Sequence, residues 1–80
     1  MFNGWLKCTF KKGIFSNECV VDTGTREYFV DKVFVKTDDG VNGKVRVTVF
    51  ELEDSLGALL PSEDGTIIGV KESDLERIAE

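Results

Sequence analysis

From residue 5 to residue 12 the chain alternates. Leu6, Cys8 and Phe10 occupy one parity, and Trp5, Lys7, Thr9 and Lys11 the other. A period of two is that of a strand with one face in a core and one in water. Residues 44–50 repeat the pattern without error, with Val45, Val47 and Val49 against Lys44, Arg46, Thr48 and Phe50. Shorter apolar runs at 18–22 and 27–36 read as further strands, the second breaking near Asp31-Lys32, and residues 66–70 give a last one.

Turn formers separate these runs. Gly13-Ile14 fits a two-residue hairpin turn and Thr23-Gly24-Thr25 another, while Asp39-Gly40 and Asn42-Gly43 are the dipeptides that hairpins favour most. Two helical pieces are expected. Leu56, Leu59 and Leu60 lie at helix-like spacing before Pro61. Ser73 and Glu76 stand at the spacing of a capping box, which predicts helical turns over 74–80 with Leu75 and Ile78 facing the core. No internal repeat, low-complexity tract or linker appears, so residues 1–80 read as a single small domain.

Short strands in so small a chain have edges to protect, and closure into a barrel protects them. The expected fold is therefore all-β, a five- to six-stranded antiparallel barrel with a short C-terminal helical turn. The stretch Ile67-Ile68-Gly69-Val70-Lys71-Glu72-Ser73-Asp74-Leu75 resembles the small SH3-like barrel proteins of bacteria, in which a last short strand runs into a one-turn helix. The resemblance implies an SH3-like topology and a binding or scaffolding module rather than an enzyme, and it assigns no functional residue. An OB-like barrel is the alternative. Tyr28 is the only tyrosine, so the paired tyrosines of the signalling SH3 ligand groove are missing and proline-rich peptides are not expected as ligands.

Composition agrees with strands: ten Val, six Phe and four Ile stand against two Ala. No apolar stretch is long enough to span a membrane. Residues 1–8 lack a basic start followed by an apolar region, so no signal peptide is expected and the cytoplasm is the expected compartment. The formal net charge of −5 is uneven, because residues 1–50 carry eight basic and six acidic side chains while residues 51–80 carry two and nine. An acidic balance disfavours general nucleic-acid affinity but leaves room for a local basic face.

The chain has no histidine, which removes Ser-His and Cys-His nucleophiles, imidazole acid-base work and most metal sites. Its two cysteines cannot close a four-ligand zinc site, and no metal or cofactor is expected. A two-residue turn at Gly13-Ile14 would set Cys8 directly opposite Cys19, which makes them a candidate thiol pair and redox switch, against the simpler reading of two reduced core thiols. Clustered carboxylates such as Glu51, Glu53 and Asp54 read as solvated charge. The lone Asp22-Thr23-Gly24 is a turn rather than half of an aspartic-protease site, and Asp39 to Gly43 lacks the spacing of a calcium loop.

A non-enzymatic binding or adaptor module for a protein partner is the leading expectation, with Trp5, Phe15, Tyr28 and Phe50 as aromatic anchors. The alternative is single-stranded nucleic acid on a face made of Trp5, Lys7, Lys11, Lys44 and Arg46, where rings stack on bases and cations follow phosphates. A monomer or a weak homodimer fits either reading.

Overall fold

The computed structural model describes residues 1–12, 17–24, 26–62 and 65–78. Among these residues eight strands follow one another: β1 (Phe2–Lys12), β2 (Glu18–Asp22), β3 (Glu27–Asp31), β4 (Val35–Thr37), β5 (Asn42–Glu51), β6 (Leu56–Leu59), β7 (Ile67–Val70) and β8 (Leu75–Arg77). The long alternating runs become the central pair: β1 lies antiparallel to β5 from Phe2↔Val49 to Thr9↔Asn42. All pairings are antiparallel, and the main path reads β3-β2-β1-β5-β6-β7. β4 also pairs with β5, and β8 with β1. The result is an all-β, curled, barrel-like sheet. No pairing joins β3 to β7 among the described residues, so the barrel stays open there.

The inward parity makes the core. Leu6 and Phe10 of β1, Val45, Val47 and Val49 of β5, and Val21, Tyr28, Val30, Ala58 and Leu60 form one buried cluster. Each fully buried Val or Leu side chain contributes about 1.5 to 3 kcal/mol relative to exposure. Three-residue 3-10 turns at Lys32–Phe34 and Glu72–Asp74 redirect the chain between β3 and β4 and between β7 and β8. Asp31 caps the first of these by accepting a hydrogen bond from Val33 N.

Several expectations are corrected by these strands. The helix-like leucines fall on β6, which is hydrogen-bonded on both sides by β5 and β7, so its backbone groups are satisfied in ladders rather than within a helix. The C-terminal helical turn is the 3-10 turn at Glu72–Asp74. Leu75–Arg77 is strand because β1 offers it a free edge from Gly4 to Leu6. Asp39-Gly40 does turn, with Gly40 at φ +78°, whereas Asn42-Gly43 opens β5. Gly43 is required there by close approach: a Cβ would collide with the Lys36 carbonyl oxygen and stand 2.7 Å from the Phe10 ring.

The cysteine geometry is also corrected. The last pair of the β1–β2 ladder is Lys12↔Cys19, whose numbers sum to 31 rather than the 27 that a two-residue turn at Gly13-Ile14 requires. Cys8 instead pairs with Gly43 on β5. It lies four residues along β1 from Cys19's partner, about 13 Å at strand rise. Both thiols are free, and this register does not bring them together. The Gly13-Ile14 turn itself falls outside the described residues.

Candidate functional site

Strand parity sets the outer face. β1 turns Trp5, Lys7, Thr9 and Lys11 outward, and β5 turns out Lys44, Arg46 and Thr48. Cross-strand register then assembles two rows. In one, Lys36 of β4 lies opposite Lys44 of β5, which lies opposite Lys7 of β1. In the other, Arg46 lies opposite Trp5, and Trp5 opposite Glu76 of β8. Phe34 sits one residue before the Val35↔Val45 pair and so continues the second row beyond Arg46. Phe34 and Arg46 line an open groove with Asn3, Thr48, Leu59 and Pro61.

The lysines converge on the tryptophan. Lys36 Nζ stands 4.8 Å and Lys44 Nζ 5.4 Å from the Trp5 ring centroid, within cation–π range. Lys44 also reaches Glu76 Oε2 at 2.9 Å. That hydrogen bond, the Lys44 charge and the fields of Lys36 and Lys7 hold the Glu76 carboxyl below its usual range. Four cations and one carboxylate therefore share this patch. Like charges directly opposite one another cost sheet stability, a cost that the Trp5 ring and Glu76 offset in part for Lys36 and Lys44.

Of the nucleic-acid set, the fold brings Trp5, Lys7, Lys44 and Arg46 together. Lys11 is placed further along β1 and pairs with Glu27 at 3.3 Å. Lys36, Phe34 and Glu76 belong to the face and were not visible from parity in single strands. Breaking the 27–36 run at Asp31-Lys32 and restarting the alternation at Val33 would have turned out Phe34 and Lys36 together.

Among the described residues the proposed protein anchors Trp5, Tyr28 and Phe50 do not assemble. Tyr28 points inward between β2 and the core at 5% exposure, with Arg26 beside its ring at 5.6 Å, because it shares the parity of Val30. Phe50 is half-buried and stands opposite Gly57, two outward positions along β5 from Thr48's neighbours in the basic rows. Phe15 lies outside the described residues. Of the exposed large apolar side chains, Phe29 stands apart on β3, while Leu52 of the β5–β6 turn and Ile67 of β7 both reach over Gly57, the residue opposite Phe50.

The thiols carry different surroundings. Burial pushes Cys8 up to about 12, against a smaller opposing effect of a backbone hydrogen bond at Val45. It is thus a protonated packing group rather than a nucleophile. Among the described residues no three Cys, Asp or Glu side chains gather to hold a metal ion, and no helix is long and apolar enough to cross a membrane. Set against protein-family models, curated proteins and solved structures, the chain matches none of them.

Proposed function

We propose that the protein is a non-enzymatic binding module whose outer sheet face takes a single-stranded nucleic acid. One observation carries this reading: Lys7, Lys36, Lys44 and Arg46 surround the single tryptophan on one continuous face, with Phe34 at its end. A single strand is a chain of phosphates with stackable rings, and it asks for this combination of cations and aromatic surface. The resting lysines cover the ring. An entering base displaces them, and their ammoniums move to the flanking phosphates. The acidic balance of the rest of the chain orients an anionic ligand toward this face and away from the others. The SH3-like topology implied by residues 67–75 is compatible with this reading and adds no residue to it.

Trp5 is the only tryptophan, so its emission reports the face directly. Titration with a ten-nucleotide thymidine oligomer at low salt is expected to quench it. Neutralising three or four phosphates gives log K against log salt a slope of about −2 to −3 for a single strand. Trp5→Ala is expected to weaken binding by roughly 5- to 150-fold, in keeping with the ~1 to 3 kcal/mol of one stacked base. An emission unchanged by the oligomer at low salt, together with unshifted Lys7, Lys44 and Arg46 amides, overturns the reading and returns the protein-partner alternative.

A further inference from the structure

Each ladder of the sheet has a partner elsewhere in it. Moving β1 forward by 39 residues superposes it on β5, and the β1–β5 ladder then maps onto itself: Gly4↔Val47 becomes Cys8↔Gly43, and Leu6↔Val45 is its own mate. The pairs Val35↔Val45, Lys36↔Lys44 and Thr37↔Gly43 map onto Leu75↔Leu6, Glu76↔Trp5 and Arg77↔Gly4. Lys12↔Cys19 maps onto Glu51↔Leu56, and Cys19↔Val30 onto Leu56↔Val70. The 3-10 turns at Lys32–Phe34 and Glu72–Asp74 correspond as well.

Side chains follow the same rule. At Gly43 a Cβ would meet the Lys36 oxygen and the Phe10 ring; at the related Gly4 it would meet the Glu76 oxygen at 3.1 Å and a Val49 methyl at 3.7 Å. Lys36 corresponds to Glu76 and Phe10 to Val49, while Phe2 beside Gly4 and Thr37 beside Gly43 differ between the halves. The chain itself echoes this, since Asn3-Gly4-Trp5-Leu6-Lys7-Cys8-Thr9 aligns with Asn42-Gly43-Lys44-Val45-Arg46-Val47-Thr48. No single spacing reveals the repeat, because the offset is 39 for β1, 37 for β2 and 40 from β3 onward. The expectation of no internal repeat is thereby corrected.

We infer that the domain is two copies of one β-β-β-3-10-β unit, fused in tandem and folded as a two-fold pair in which each copy lays its last strand on the first strand of the other. The basic face is then a composite site on the two-fold axis. The axis passes through Leu6↔Val45, and Trp5, Lys7, Lys44 and Arg46 surround it. The Lys36–Trp5 contact in one half corresponds to the Glu76–Lys44 ion pair in the other. The two halves of the site have diverged: one keeps an aromatic ring under a cation, while the other is closed by a carboxylate. An anionic strand is engaged on the Lys36 and Phe34 side, and Glu76 repels it from the other; this last point rests on the nucleic-acid reading.

The test transposes the site across the axis with the sixfold variant Trp5→Lys, Phe34→Asp, Lys36→Glu, Lys44→Trp, Asp74→Phe and Glu76→Lys. In the wild-type spectrum the side-chain protons of Lys36 and Lys44 are expected upfield of the other lysines, shielded by the ring. In the folded variant that shielding is expected to move to the lysines introduced at positions 76 and 5. A folded variant whose ring shields neither overturns the repeat as a description of the site. A variant that does not fold passes the decision to a circular permutant opened between Asp38 and Asp39 and joined from residue 80 to residue 1. Its new connection runs six residues from position 77 to position 4, against five between Thr37 and Gly43 in the native chain. A folded permutant supports two equivalent units, and an unfolded one overturns them. Oligomer affinity reads the composite site separately. Affinity within roughly threefold of wild type supports it. Moved shielding with lost affinity leaves the repeat standing and removes the composite site, and a wild-type protein that binds no oligomer removes the composite site and the nucleic-acid reading together.

Discussion

Two glycines separate space from conformation. Gly43 sits where the Lys36 backbone and the Phe10 ring leave no volume for a methyl group, although its φ is unexceptional; Gly69 faces open space. Gly43→Ala is expected to cost about 2 to 3 kcal/mol, the range of an overpacked core. Gly69→Ala is expected to be neutral or stabilising by up to ~1 kcal/mol, since it only narrows the unfolded chain. Thermal melts of the two variants check both, and equal losses would contradict the close approach at Gly43. Cys8 makes a second prediction at this scale. Its folded pKa is raised, so the unfolded chain releases the thiol proton first. The stability it contributes is full below about 9 and declines as pH rises from there toward about 12. Cys8→Val, which places at this position the residue found at 47, is expected to flatten the alkaline fall in stability relative to wild type, as followed by denaturant melts between pH 8 and 11.

At the scale of elements, the loop between β4 and β5 is held by the Thr37 hydroxyl and by one carboxylate. Asp39 Oδ1 accepts hydrogen bonds from Val41 N at 2.8 Å and Asn42 N at 2.7 Å, which hold its carboxyl below the usual range. A depressed carboxylate contributes stability above its unfolded pKa and loses it as pH falls through the folded one. Asp39→Ala is therefore expected to lower Tm at neutral pH, with the gap to wild type closing as the buffer is taken below pH of about 4. A gap that persists unchanged in acid would assign the loss to something other than these bonds. Elements also divide what was legible in the chain. β1 and β5 were readable because each pairs a long alternating run with one wet face. β6 was not, since residues 56–60 alternate poorly when a strand is flanked on both sides and covered. β8 was not, because three residues carry too little pattern to outweigh a capping-box spacing whose Glu76 in fact pairs with Lys44. Four residues of the candidate face, Trp5 with Lys7 and Lys44 with Arg46, followed from parity alone; a restarted alternation at Val33 would have turned out Lys36 and Phe34, but only the register of β4 against β5 sets them beside the other four.

Across the whole molecule, charge is arranged at a cost to folding. Lys36, Lys44 and Lys7 stand opposite one another on adjacent strands of a chain whose net charge is −5. Replacing one of them relieves that repulsion. Lys7→Thr is expected to raise stability by up to ~0.5 kcal/mol, a fraction of a cross-strand pair, while weakening the oligomer severalfold. Glu76→Gln is expected to act in the other direction on binding, strengthening it roughly two- to fivefold, the scale of one exposed ion pair. Melts and titrations on the same samples check both variants, and a Lys7→Thr protein that gains stability with undiminished affinity would separate the lysine row from ligand binding.

The shared axis through Leu6 and Val45 has a consequence for how such a surface changes over time. In an assembly of two identical chains, a substitution beside the axis is made twice at once, and a tryptophan placed there would meet its own copy. Once the two units lie on one chain, each position can drift alone. Trp5 against Lys44 and Lys36 against Glu76 are where the copies have parted, while Gly4 and Gly43 have stayed alike because both still pass under a neighbouring carbonyl. The backbone crossing fixes the two glycines, and the side chains beside the axis are free to differ.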